Sequence, residues 1–164
     1  MNNNISEHIS YIEATNSITA KRHNIDNTPN KEQLSRMKEL ADNIFEPLRK
    51  GLGNKPINIA IFYRSPELNE KIKGAKNSQH MALNGAAIDL DNDSCINCST
   101  NKELFDYIKD NLEFDQLIWE FGDDSNPGWV HVSYNKGKNR KQVLLSKKVD
   151  SKTVYYNYEV YRKG

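Results

Sequence analysis

Between residues 34 and 48 the apolar side chains fall at Leu34, Met37, Leu40, Ala41, Ile44, Phe45 and Leu48, the three-and-four spacing of a helix with one buried stripe. Asn27-Thr28-Pro29-Asn30 places an N-cap candidate directly before a helix-initiating proline, and Gly51 and Gly53 close the far end. The pattern then changes. Ile57 to Tyr63 is rich in β-formers and predicts a strand delivering Arg64 to a loop, Pro66 to Ile72 suits a short helix, and Ala86 to Leu90 suits a buried strand. A polar loop follows over residues 91–100. Asn101 can then cap a helix over Lys102 to Asn111, with Leu104, Phe105 and Ile108 on one side.

Gln116 to Phe121, a turn over residues 122–128, and Trp129 to Tyr134 together predict a β-hairpin. In the two-residue period, Leu117, Trp119 and Phe121 share one face, as do Val130, Val132 and Tyr134, which leaves Glu120 and His131 on the opposite faces of their strands. A register pairing Glu120 with His131, or with Trp129 beside it, brings the acid and the imidazole to one open surface; a slip by one residue undoes this. Val143-Leu144-Leu145 predicts a further strand, and Val154 to Tyr161 an aromatic-rich edge.

The chain has 164 residues, room for one core but not for a catalytic unit plus a full second module. We expect a single domain over residues 1–146, with residues 147–164 as a β-rich extension of it, and a monomer. With 23 Lys+Arg against 22 Asp+Glu, a nucleic-acid partner is not expected. The local cluster Lys136, Lys138, Arg140 and Lys141 reads as a solvated turn. No apolar run is long enough to span a bilayer, and the first eight residues show no secretory signal. Cys95 and Cys98 read as ordinary loop thiols, with a local redox pair or a casual metal contact as alternatives.

Of four histidines, His80 and His131 stand in unusual company. Asp89 lies between Ile88 and Leu90, and a buried carboxylate needs a partner. A metal held by Asp89 and neutral imidazoles from His80 and His131 would satisfy it and leave a position for water. A hydrogen-bonded core acid with a surface histidine is the alternative. His8 and His23 read as surface or loop residues, with no acid or Cys pairing them in a nucleophilic arrangement.

Ser78, His80, Gly85, Ala87 and Asp89, followed by Trp129-Val130-His131, resemble the zinc D-Ala-D-Ala carboxypeptidase family. It is the VanX-like, hedgehog-related peptidase superfamily that also holds L-alanyl-D-glutamate endopeptidases. Tyr63-Arg64-Ser65-Pro66-Glu67-Leu68-Asn69 and Phe114-Asp115-Gln116-Leu117-Ile118-Trp119-Glu120 look like its small phage-type branch. The resemblance spans about residues 6–145.

Two departures matter. In the family's Ser-x-His-x-x-Gly-x-Ala-x-Asp pattern, Gly85 and Asp89 come here two residues late, an insertion after His80 that leaves Asp91 as a rival ligand. The acidic residue that better-known members carry three positions before the final histidine is here Gly128, which leaves Glu120 as the catalytic acid/base and Asp123 and Asp124 as looser alternatives.

The resemblance implies an α+β fold of the hedgehog/DD-peptidase type: a central antiparallel sheet, helices packed on one face, and zinc on the open face. Zn2+ would be held by His80, Asp89 and His131, with Glu120 and Arg64 catalytic and Ser78, Gln79 and Trp129 meeting substrate. A salt bridge to Glu67 or a nearby acid is the alternative role for Arg64. The expected function is hydrolysis of amide bonds in peptidoglycan stem peptides, by an endolysin-like endopeptidase or a carboxypeptidase, in a protein cytoplasmic until release or carried on a virion. A zinc-containing binding module without catalysis, or a virion structural component, is the alternative.

Overall fold

The computed structural model describes residues 4–163; Met1 to Asn3, part of the start searched for a secretory signal, lie outside the described residues. Two short helices, α1 (Tyr11–Thr15) and α2 (Ile18–His23), lead into α3 (Lys31–Leu40). The cap of α3 is Asn30, one residue beyond the expected proline start. Its side chain accepts from the backbone N–H of Gln33, and the Gln33 side chain accepts from the Asn30 N–H, a reciprocal box that satisfies two orphan donors. A π-helical turn, Ala41–Phe45, carries α3 directly into α4 (Glu46–Gly51). Ala41, Ile44 and Phe45 are buried while Asp42 and Asn43 face solvent, so the widened turn keeps the apolar stripe pointed at the core.

The expected strand over residues 57–63 is reduced to β1 (Ile59–Ile61). At its start, the Asn58 N–H donates to the Asn92 side chain. Beyond Ile61 the chain leaves the ladder, and the Phe62 carbonyl accepts from His80 Nδ1. Helix α5 (Pro66–Lys71), a 3-10 turn over Gln79–Met81, β2 (Ala86–Leu90) and α6 (Asn101–Asn111) follow. Thr100, not Asn101, caps α6, in a second capping box with Glu103. The remaining elements are β3 (Gln116–Glu120), β4 (Trp129–Tyr134), β5 (Gln142–Val149), β6 (Lys152–Asn157) and α7 (Tyr158–Lys163).

The architecture is α+β, as expected, but the sheet is mixed. Its order is β1-β2-β4-β3-β5-β6, and β5 runs parallel to β3. The sequence contains no signal for this pairing, because the two segments read as ordinary half-buried strands in either direction. The last segment also differs from the expected aromatic edge, which divides into β6 and α7. Tyr158 returns to pack on Phe105 and Trp119, and the Arg162 guanidinium stacks over the Trp119 ring.

Register sorts the two faces. Ile88, Val132 and Leu117 lie side by side on one, and Leu90, Val130, Trp119 and Leu145 form the next row. All of them are buried with Leu40, Ile44, Leu104, Phe105 and Ile108 from the helices. Apolar burial on this face is the main stabilising term. The opposite face carries the polar chemistry.

Cys95 and Cys98 form a disulfide, with Cα atoms 5.4 Å apart, rather than free thiols. They close a tight turn in the 91–100 loop, whose backbone is pinned elsewhere by Asn92 and Asn101.

Candidate metal centre and active-site cleft

Across the polar face, Asp89 on β2 is registered opposite His131 on β4, which is registered opposite Ile118 on β3. One step along, Trp129, Glu120, Ser146 and Tyr155 line up across β4, β3, β5 and β6. Glu120 pairs with Trp129, the second register considered from sequence. Because Glu120 and Ile118 are two residues apart on one strand, the carboxylate and the His131 imidazole share a face.

His80 reaches the same place from the 3-10 turn, where the chain is held by several backbone contacts. The Arg64 N–H donates to the His80 carbonyl, and Gln33 donates to the Met81 carbonyl from α3. Between His80 and β2, Ala82 adopts a left-handed conformation and Gly85 stands at φ 78. A Cβ on Gly85 would stand 2.4 Å from the Tyr134 carbonyl oxygen, so only glycine lets β2 start this close to β4.

His131 Nδ1 lies 2.8 Å from Asp89 Oδ1, and His80 Nε2 lies 3.3 Å from the same oxygen. The three donor atoms fall within 4.8 Å of one another. His80 Nδ1 is committed to the Phe62 carbonyl at 2.9 Å, so in the neutral ring Nε2 turns a lone pair toward a carboxylate oxygen. A shared cation satisfies that arrangement. Two imidazoles and one carboxylate are a donor set suited to zinc, and a backbone carbonyl behind the imidazole is a familiar way of orienting such a ligand. Burial pushes the Asp89 carboxyl up, but the adjoining His80 and His131 outweigh it and hold the group well below the ordinary carboxylate range.

Glu120 is 7% exposed. Burial raises its carboxyl above the usual value, and the hydroxyl of Ser146, which donates to Oε2, offsets this only in part. Ser146 also accepts from the Phe121 N–H, so the hydroxyl is fixed at both ends. Sequence reasoning missed Ser146, since its place beside Glu120 follows from the parallel β3–β5 register.

His80, Asp89, Glu120 and His131 line a cleft of about 780 Å³ that also takes in Arg64, Ser78, Gln79, Trp129 and Tyr155. Arg64 does not pair with Glu67; its guanidinium donates to Asn69 Oδ1 at 3.1 Å, and Gly74 leaves room for both, since a Cβ there would stand 2.2 Å from that oxygen. Trp129 stacks obliquely on Phe121 at the rim, 5.2 Å between centroids. The Gln79 amide donates to Asp115 and to the Asn84 carbonyl. Ser78 lines the wall of the cleft.

Asp91 lies outside the donor group and accepts from the Asp93 N–H and from Asn101. Asp123 caps its own turn through Ser125 and Asn126, and Asp124 meets Arg162 and Lys147. His8 Nδ1 lies 2.7 Å from the Glu46 carboxylate, outside the cleft. Lys138 and Arg140 line the cleft rather than forming only a solvated turn. Asp115, Arg140 and Tyr155 were not read as site residues; an acid directly after Phe114 at a strand start was the one available signal.

The model for the family described as Peptidase M15 matches residues 7–133. The chain belongs to the peptidase M15 family. His80, Asp89, Glu120 and His131 all lie within the matched segment, whereas Ser146 and Tyr155 lie beyond it. No curated protein matches the chain. This M15 peptidase has, among its described residues, no helix long and apolar enough to cross a membrane. Its family is one of zinc peptidases that act on peptidoglycan.

Proposed function

We propose that the chain is a zinc-dependent hydrolase of amide bonds in peptidoglycan stem peptides, with His80, Asp89 and His131 as metal ligands and Glu120 as the general acid/base. The observation that carries this reading is the position of the Glu120 carboxylate: on the same sheet face as His131, one row away, in a cleft of about 780 Å³. Zinc bound there would polarise the substrate carbonyl and make water a competent nucleophile near neutral pH.

The protein's own groups supply the rest. Glu120 takes the proton of the attacking water at its carboxylate and returns it to the leaving amine, a shuttle suited to a carboxyl raised above its ordinary value. The Ser146 hydroxyl fixes the carboxylate and favours its ionised form. Arg64, half-buried and without a carboxylate partner among the described residues, is placed to meet the carbonyl oxygen as negative charge develops. Ser78, Gln79 and Trp129 form the walls against which the peptide is oriented.

Incubating the zinc-loaded protein with purified peptidoglycan fragments, with and without a chelator, and identifying products by mass spectrometry tests the proposal. Chelator-sensitive cleavage of a stem amide is expected. A zinc-replete protein that cleaves nothing, and whose Glu120→Gln variant behaves like the parent, is instead a binding module.

A further inference from the structure

The cleft extends along β3 away from Glu120, and its far end is cationic. Asp115, 2% exposed, accepts from Arg140 Nε at 2.7 Å, from Nη2 at 2.8 Å and from the Arg140 backbone N–H at 3.1 Å, while Gln79 donates to its second oxygen at 2.8 Å. The guanidinium is thereby locked in orientation, yet 57% of the side chain remains exposed. A bidentate contact of this kind consumes two of the five guanidinium hydrogens and leaves Nη1 free to donate. Asp115 neutralises much of the Arg140 charge. Lys138, exposed, forms no ion pair among the described residues, lines the same stretch and adds an uncompensated positive charge.

The spacing is informative. His131 is registered with Ile118, and Gln116 and Asp115 lie two and three residues before it, about 7–10 Å along the strand at 3.3 Å per residue. An extended peptide spans at most about 3.6 Å per residue, so a group held at Arg140 and Lys138 is two or three residues from the amide at the metal ligands. Removal of a single terminal residue would put the chain's carboxylate only one residue away, short of this end.

We propose that Arg140, oriented by Asp115, and Lys138 form a carboxylate subsite that recognises an acidic group two or three residues from the scissile amide, so that cleavage falls inside the stem peptide. This rests on the peptidase reading above and names its substrate class. The carboxylate is either a side-chain group or the chain terminus, and both present the same chemistry to a guanidinium and an ammonium.

Steady-state kinetics on defined stem peptides test it, using the zinc-loaded full chain as parent, Arg140→Gln, Arg140→Lys and Lys138→Ala. Each peptide is supplied with all carboxylates free, with the terminal one amidated, and with the side-chain one amidated. Arg140→Gln should raise KM about tenfold or more, and Lys138→Ala about threefold, with kcat within about twofold, the scale of one lost charge-assisted contact. Arg140→Lys should recover part of the loss. Amidating the recognised carboxylate should raise the parent's KM similarly and cancel the effect of both variants, and which amidation does so identifies the source. Lys138→Ala leaves the Asp115 network intact and guards against a folding defect in Arg140→Gln. KM values indifferent to every amidation, or release of a single terminal residue as the main product, overturn the proposal.

Calorimetric titration of the same peptides into zinc-loaded Glu120→Gln separates the two readings. Carboxylate-dependent binding without cleavage by the parent leaves the subsite standing and removes the peptidase. Cleavage without carboxylate preference does the reverse.

Discussion

Asp89 and His131 are direct cross-strand partners, with Oδ1 and Nδ1 2.8 Å apart on the polar face of β2 and β4. The contact orients both groups toward His80, so the donor set is held by a sheet ladder on one side and by a 3-10 turn on the other. A ligand pair carried on neighbouring strands has little freedom to relax when one member is lost.

Replacing His80, Asp89 or His131 by alanine should therefore abolish stable zinc binding. Metal analysis after exhaustive dialysis should give about one zinc per chain for the parent, as for a three-ligand site with an open position, and close to none for each variant. Full zinc occupancy in all three variants would remove the assignment.

Glu120→Gln should keep the metal and lose turnover by about a hundredfold or more, the scale of a missing general base. It should also stabilise the metal-free protein at neutral pH. A carboxyl whose folded pKa is raised contributes stability below its unfolded pKa and loses it as pH rises through the folded value. A neutral amide avoids that loss. Thermal melts should show the variant above the parent at pH 7, by about 2–4 °C per kcal/mol for a chain this long, with the gap closing toward pH 4.

Ser146→Ala should move the acid limb of the kcat/KM profile to higher pH. The Ser146 hydroxyl donates to the ionised Glu120 and lowers its pKa against burial, so its removal raises the carboxyl further. The base works deprotonated, and activity then falls away at a higher pH than in the parent. Coincident profiles would show that Glu120 does not govern this limb.

The row that supports this prediction was only half visible in the sequence. The hairpin and the shared polar face of Glu120 and His131 follow from two-residue alternation within each strand, but alternation allowed Glu120 to pair with either His131 or Trp129, and the structure selects Trp129. Asp89 was legible as a carboxylate in an apolar strand. The places of Ser146, Tyr155 and Arg140 were not, because each depends on a non-local choice: the parallel pairing of β5 with β3, the pairing of the edge strand with β5, or a buried acid that draws an arginine inward. Period and propensity report which side of a strand is buried, not which strand lies next to it. The disulfide was equally hidden, since two closely spaced cysteines read the same whether reduced or oxidised.

Gly85→Ala should be among the most damaging single-methyl changes in the protein. It combines a positive φ with a Cβ placed 2.4 Å from the Tyr134 carbonyl oxygen, and β2 must shift to relieve it. A loss of roughly 2 kcal/mol or more, seen as a Tm lowered by about 4–8 °C, should accompany weakened zinc binding, since Asp89 moves with the strand. An unchanged melt would mean that the turn can be rebuilt without glycine.

The parallel strand β5 has a practical consequence for anyone wishing to transplant this catalytic unit. A fragment cut where the family match stops, after residue 133, would retain all three donor residues and Glu120, yet strip β3 of its neighbour and expose a row of unpaired backbone groups beside Trp119. Such an edge invites pairing with other copies, and the fragment should precipitate rather than work. A fusion partner belongs after α7, where the Arg162 guanidinium already closes over the indole.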